Sequence, residues 1–174
     1  MQLVLVSRCA VAITCMLTTS LAFAERPTQA QARATALAWR EALDQDDGAS
    51  AATLTAKRFF AVVRADTEET PRCGATTATT AAARATLLAC LAREDLPLDP
   101  LAAWTKKSRR RLAGPLAGHD RSRIAALERT STLVVHHTDC VGQGSDVIVA
   151  VTIEKGARAP AVAAVFAQSY HCGE

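Results

Sequence analysis

The chain has 174 residues, 20 Lys and Arg against 17 Asp and Glu for a net charge of +3, and 49% hydrophobic residues of which few are aromatic. That length fits one domain with a real core and leaves little room for a second. Basic residues are not interleaved with aromatics as in a nucleic-acid module, so no nucleic acid is expected as a partner. The charge is also unevenly spread: residues 100–130 carry 8 bases and 2 acids, whereas both flanking segments are net acidic.

Residues 1–24 read as a secretory signal peptide. Arg8 is the only basic residue of a short n-region, Val11, Ile13, Met16 and Leu17 form the apolar stretch, and Ala22-Phe23-Ala24 is a small-x-small cleavage site. The apolar part is too short and too rich in Thr and Ser to span a bilayer, which takes about 20 residues. Residues 25–174 are therefore expected as the exported product, periplasmic or extracellular, with no transmembrane segment. The abundance of Ala and the preference for Arg over Lys suggest a GC-rich bacterium. The exported part keeps Cys73, Cys90, Cys140 and Cys172. An even count in an exported chain favours two disulfides, and although four cysteines allow three connectivities, proximity favours Cys73 with Cys90 and Cys140 with Cys172. A four-cysteine zinc site is the competing reading, but no C-x-x-C pair supports it, and neither metal nor cofactor is expected.

From Pro27 to Leu43, Ala32, Ala36, Trp39 and Leu43 recur at helical spacing and predict an amphipathic helix. Asp44 to Gly48 stops it, and Ser50 is the expected cap of a short second helix through Leu54 and Ala56. Phe59 to Val63 reads as a strand, and Asp66 to Thr77 as a polar loop containing Cys73 and Gly74. Thr79 or Thr80 caps a helix with Ala83, Leu87, Cys90 and Leu91 on one face. Asp99-Pro100 predicts a helix start and a helix to about Leu112, and a shorter helix is expected from Asp120 to Arg129.

The remaining residues change character. Ser131 to Thr138, Asp146 to Glu154 and Ala161 to Tyr170 are β-branched or alternating and predict an antiparallel meander. In the second of these, Val147, Val149, Val151 and Ile153 take one face and Ile148, Ala150 and Thr152 the other, so it is expected to be central and covered on both sides. The fold class is thus α+β: N-terminal helices on a C-terminal curved antiparallel sheet, stapled by disulfides.

Trp39-Arg40-Glu41-Ala42-Leu43, the acidic break at Asp46-Asp47, Leu54 in a short helix, Phe59-Phe60 and the closing meander resemble the nuclear-transport-factor-2-like and SnoaL-like superfamily. The resemblance implies a cone-like fold in which helices pack on a strongly bent sheet around a pocket. It spans enzymes, binding proteins and inert adaptors. The chain departs from that pattern in its extra helices between Thr79 and Arg129, in lacking a clear second strand, and in matching none of the family's catalytic acid and His placements. No catalytic residue carries over.

His136-His137 followed by Asp139 is the main candidate for acid–base chemistry. Adjacent strand residues point to opposite faces, however, so the two imidazoles cannot share one site. Lys106, Lys107, Arg109, Arg110 and Arg111 would cover about 200° of a helix surface opposite Leu101, Trp104, Ser108 and Leu112. This is the pattern of a core-docking helix with a solvated basic face, or of a polyanion- or membrane-surface binder whose affinity falls with salt. Gly142-Gln143-Gly144 sits between strands and reads as a hairpin loop, while Trp39 and Trp104 read as core.

The leading expectation is a non-catalytic exported binding protein with a small-molecule or protein partner. Its site is expected in the hollow between the first helices and the meander, lined by Val134, His136, Phe166 and Tyr170. The alternative is an enzyme of the same fold with His136 as general base. The pattern leaves monomer and homodimer equally open.

Overall fold

Thr28 starts the first helix by a reciprocal cap: its hydroxyl accepts from the Gln31 N–H while the Gln31 side chain accepts from the Thr28 N–H. The computed structural model describes residues 26–65, 70–111, 115–138 and 143–171, without the side chains of 111 and 115–119. The leader, Cys140 and Cys172 lie outside the described residues.

Helix α1 (Gln29–Asp44) buries Ala32, Thr35, Ala36, Trp39, Ala42 and Leu43, the face its spacing predicts. Helix α2 (Gly48–Thr53) is capped by Asp47, whose carboxylate accepts from the Ser50 N–H; Ser50, the expected cap, therefore lies inside the first turn. Strands β1 (Thr55–Ala65) and β2 (Cys73–Ala78) follow, then α3 (Ala81–Leu91), capped by Thr80. After α3 come the two-residue strand β3 (Ala102–Ala103), α4 (Lys106–Arg111) and α5 (Pro115–Leu127). The meander closes the chain as β4 (Thr132–His137), β5 (Gln143–Thr152) and β6 (Ala161–His171).

The architecture is α+β, and its sheet is mixed rather than wholly antiparallel. The strand order is β2-β1-β6-β5-β4-β3, with β1 parallel to β6 and every other pair antiparallel. Alternation explains why β1 joins the meander: Phe59, Ala61 and Val63 are buried on one face and Phe60 and Val62 on the other. A strand apolar on both faces needs neighbours and cover on both sides. Residues 73–77, expected as loop, belong with Ala78 to an edge strand. Its side chains are exposed except at the two ends, so no apolar alternation announces it.

Asp99-Pro100 starts no helix. Leu101 is buried and Ala102 and Ala103 pair with Val135 and Val134 of β4. The helix begins only at Lys106, where the Thr105 hydroxyl accepts from the Ser108 N–H. Trp104 consequently precedes α4 and packs, half-buried, with its indole N–H donating to Glu128.

The sheet has two covered faces. On the first, Trp39 of α1 and Leu87, Leu88 and Leu91 of α3 meet Phe59, Val63, Val134, Val147, Val149 and Val165. On the second, Ile124 of α5 meets Phe60, Val62, Leu133, Val135, Ile148 and Phe166. Strand β5 supplies both cores, as its pattern predicts: Val147, Val149 and Val151 to the first, Ile148 and Ala150 to the second. Among the described residues, no helix is long and apolar enough to cross a membrane.

Candidate functional site

The first face changes composition toward one end of the strands. Val63, Ala167, Val147 and His136 are register partners across β1, β6, β5 and β4. The neighbouring row is Ala65, Ser169 and Ser145, continued by Thr138, whose hydroxyl accepts from the Ser145 N–H at 2.6 Å. Bulky Val and Phe side chains fill the core beyond, whereas Ala, Ser and Thr here leave a hollow. The result is a cleft of about 530 Å³ floored by these rows as far as Val147 and walled by Glu94 to Pro97, Arg72, Tyr170 and His171.

The walls are held from two sides. Arg72 precedes β2 and Glu94 follows α3, and the Cys73–Cys90 disulfide joins those elements with Cα atoms 5.9 Å apart. This is the pair that proximity favours. The Arg72 guanidinium lies 4.0 Å from the Glu94 carboxylate, so the rim carries an ion pair beside the further acid Asp95. On the other side Tyr170 lies over Gly144, its hydroxyl 3.4 Å from both the Thr138 carbonyl and Asp146 Oδ1.

Behind Tyr170, on the second face, a polar row follows the apolar one. Arg64, Gln168, Asp146 and His137 are register partners across four strands. His137 Nδ1 is 2.5 Å from Asp146 Oδ1, and Arg64 Nε faces Asp120 of α5 at 3.8 Å. Burial pushes the Asp146 carboxyl above its usual pKa, while the hydrogen bonds from His137 and Tyr170 pull it down. The alternation argument for the adjacent histidines holds: His137 belongs to this row and His136 to the first face.

The residues expected to line one hollow are divided. Val134 is core on the first face, and Phe166 lies on the second, its ring 5.3 Å from that of Phe60. His136 is buried, with Nδ1 3.3 Å from the Pro100 carbonyl oxygen and Nε2 without a hydrogen-bond partner among the described residues. It continues the floor row past Val147 but does not border the cleft. Tyr170 alone of the four does. Lys106, Lys107, Arg109 and Arg110 are exposed on α4, with Arg109 paired to Glu128 at 2.5 Å; the side chain of Arg111 lies outside the described residues. No known protein family matches the chain, and no curated protein matches it.

Sequence reasoning missed the part of the wall between Glu94 and Pro97, a half-apolar connection with no motif. It also missed Asp146, which reads as the polar first residue of a strand. The available signal was the run of small residues at one end of three strands: Ala65, Ser145, and Ala167 with Ser169.

Proposed function

We propose that the protein is an exported binding protein of the nuclear-transport-factor-2-like type, and that it holds a small molecule in the cleft beneath Glu94 to Pro97. The observation that carries the reading is the floor in which Ala65, Ala167, Ser145, Ser169 and Thr138 stand where bulkier side chains fill the sheet elsewhere. It opens a volume within the range of about 300–1,000 Å³ typical of small-molecule sites, in a sheet otherwise packed with bulky residues. An apolar half, Val63, Ala167 and Val147, adjoins a hydroxyl-bearing half, Ser169, Ser145 and Thr138. That division suits a ligand with one apolar and one hydrogen-bonding side. The leader and the disulfide favour the exported setting. The order of elements, two helices and a hairpin, then α3 and, after two further helices, a closing meander, favours the superfamily.

Binding is preferred to catalysis because His136, the candidate base, is covered and hydrogen-bonded to the Pro100 carbonyl. The basic face of α4 is the weaker binding surface, since Arg109 is committed to Glu128.

The test is native mass spectrometry of the protein purified from its own host, beside Ser169→Trp, which fills the floor from an exposed position. An added mass on the wild type that Ser169→Trp lacks, with unchanged circular dichroism, supports the cleft. A bare wild type, or an equal added mass on both, overturns it.

A further inference from the structure

We propose that Cys73, Cys90 and Glu94 form a binding site for a zinc-type divalent ion once the disulfide between the two cysteines is reduced. The two sulfurs and a carboxylate oxygen of Glu94 all lie within 4.8 Å of one another. Cys73 Sγ is 3.8 Å from Glu94 Oε1. With Zn–S near 2.3 Å and Zn–O near 2.1 Å, tetrahedral geometry sets a sulfur and an oxygen ligand about 3.6 Å apart and two sulfurs about 3.8 Å apart. The carboxylate is thus already at ligand spacing from Cys73, and the Cys90 sulfur has to move off it. Cα atoms 5.9 Å apart leave room for that by side-chain rotation.

Each ligand is anchored independently of the S–S bond. Cys73 is in register with Val63, and the neighbouring Arg72 N–H donates to the Val63 carbonyl at 2.9 Å. Cys90 lies in the last turn of α3, whose Leu87, Leu88 and Leu91 are in the core. Glu94 is held in the turn that follows by its N–H, which donates to the Leu91 carbonyl at 3.2 Å. Reduction therefore frees two thiols on a backbone that keeps its place.

Charge also fits. Two thiolates and a carboxylate sum to three negative charges, and the Arg72 guanidinium beside Glu94 leaves two, matching a divalent cation. Three protein ligands leave the fourth position of a tetrahedral ion open. Glu94 also belongs to the wall of the cleft, which brings the site to its edge.

The chemistry balances with a dithiol as reductant. One of its thiolates attacks a cysteine sulfur to give a mixed disulfide, and its second thiolate displaces the remaining cysteine bond. The reductant leaves as a cyclic disulfide, and two electrons and two protons end on Cys73 and Cys90. The ion then displaces both protons. In the oxidised state neither sulfur is a thiolate, so redox state decides whether the ion is held. This site stands independently of the small-molecule reading of the cleft.

The test reduces the full chain with a phosphine, which becomes the phosphine oxide with oxygen from water, and titrates it anaerobically with Cd²⁺ and then Zn²⁺. The reduced wild type is expected to take one Cd²⁺ more than Cys73→Ser/Cys90→Ser, with an ultraviolet thiolate-to-cadmium band. Glu94→Gln should bind about tenfold or more weakly. Should the double variant fail to fold, Glu94→Gln alone decides, because it leaves both sulfurs in place. Equal Cd²⁺ affinity in Glu94→Gln, no band on the reduced wild type, or equal uptake by the oxidised protein overturns the proposal.

Discussion

The ring of Tyr170 covers Gly144 so closely that a Cβ at that position would lie 2.4 Å from Cε2. Gly144→Ala must therefore push the phenol off its place and weaken its hydrogen bonds to Asp146 and Thr138. A loss of about 1–3 kcal/mol is expected from such overpacking, read by urea denaturation; an unchanged midpoint would mean that the ring moves without cost. Asp146 bears on pH. Its carboxyl is held above the usual 3.8 chiefly by burial. An acid with a raised folded-state pKa binds its proton more readily folded than unfolded, so its favourable contribution is complete at low pH and declines as pH rises past 3.8. Asp146→Asn should remove that decline: the stability difference shifts toward the variant as pH is raised through the folded-state pKa. Urea titrations at stepped pH check this, and a shift toward the wild type contradicts it. At this scale the sequence disclosed what alternation and proximity encode, namely the split of His136 from His137 and the pairing of Cys73 with Cys90. The contact between Asp146 and His137 required strand register, which is set by distant pairing rather than by neighbours in the chain.

Elements were legible where a local signal and burial agree. Helices α1 and α3 have Thr caps and apolar spacing, and the meander has alternation separated by turn residues. Strand β2 has neither: it pairs through backbone groups and keeps its middle side chains in solvent. It also needs Gly74 at φ +83°, where a Cβ would sit 1.8 Å from the Ala61 carbonyl oxygen. The bulge opposite Ala61 therefore depends on a glycine that reads, in sequence, as loop punctuation. Asp99-Pro100 misled for the opposite reason, carrying a helix-start signal in a segment that the pairing of Ala102 and Ala103 with β4 holds extended. The two-sided burial of β5 makes its core residues costly to lose. Ile148→Ala removes a fully buried side chain from the second face and should destabilise by about 2–5 kcal/mol, measured by thermal or chemical unfolding. A cost under about 1 kcal/mol would mean that the layer under α5 collapses around the gap.

At the scale of the molecule, the sheet separates two cores. Helices α1 and α3 cover the face that carries the cleft, and α5 covers the face that carries the row from Arg64 to His137. The helices between Thr79 and Arg129 are thus divided, α3 on the first face and α5 on the second. That division was unreadable in sequence because it depends on which side of the sheet each connection passes. The parallel pairing of β1 with β6 has its own outcome: Arg64 meets Gln168, and Ala65 meets Ser169, across about a hundred residues of intervening chain. As the polypeptide emerges during synthesis, β1 and β2 can form a hairpin, and β4 and β5 another, but no strand pairing joins the two hairpins until residues 161–171 arrive. Such long-range closure carries a large entropic toll and slows folding. It also leaves one flank of β1 and one flank of β5 with unpaired backbone groups in the interim. A ribosome-bound chain arrested before β6 would therefore hold two hairpins with open edges, and the newest strand to appear is the one that closes them into a single sheet.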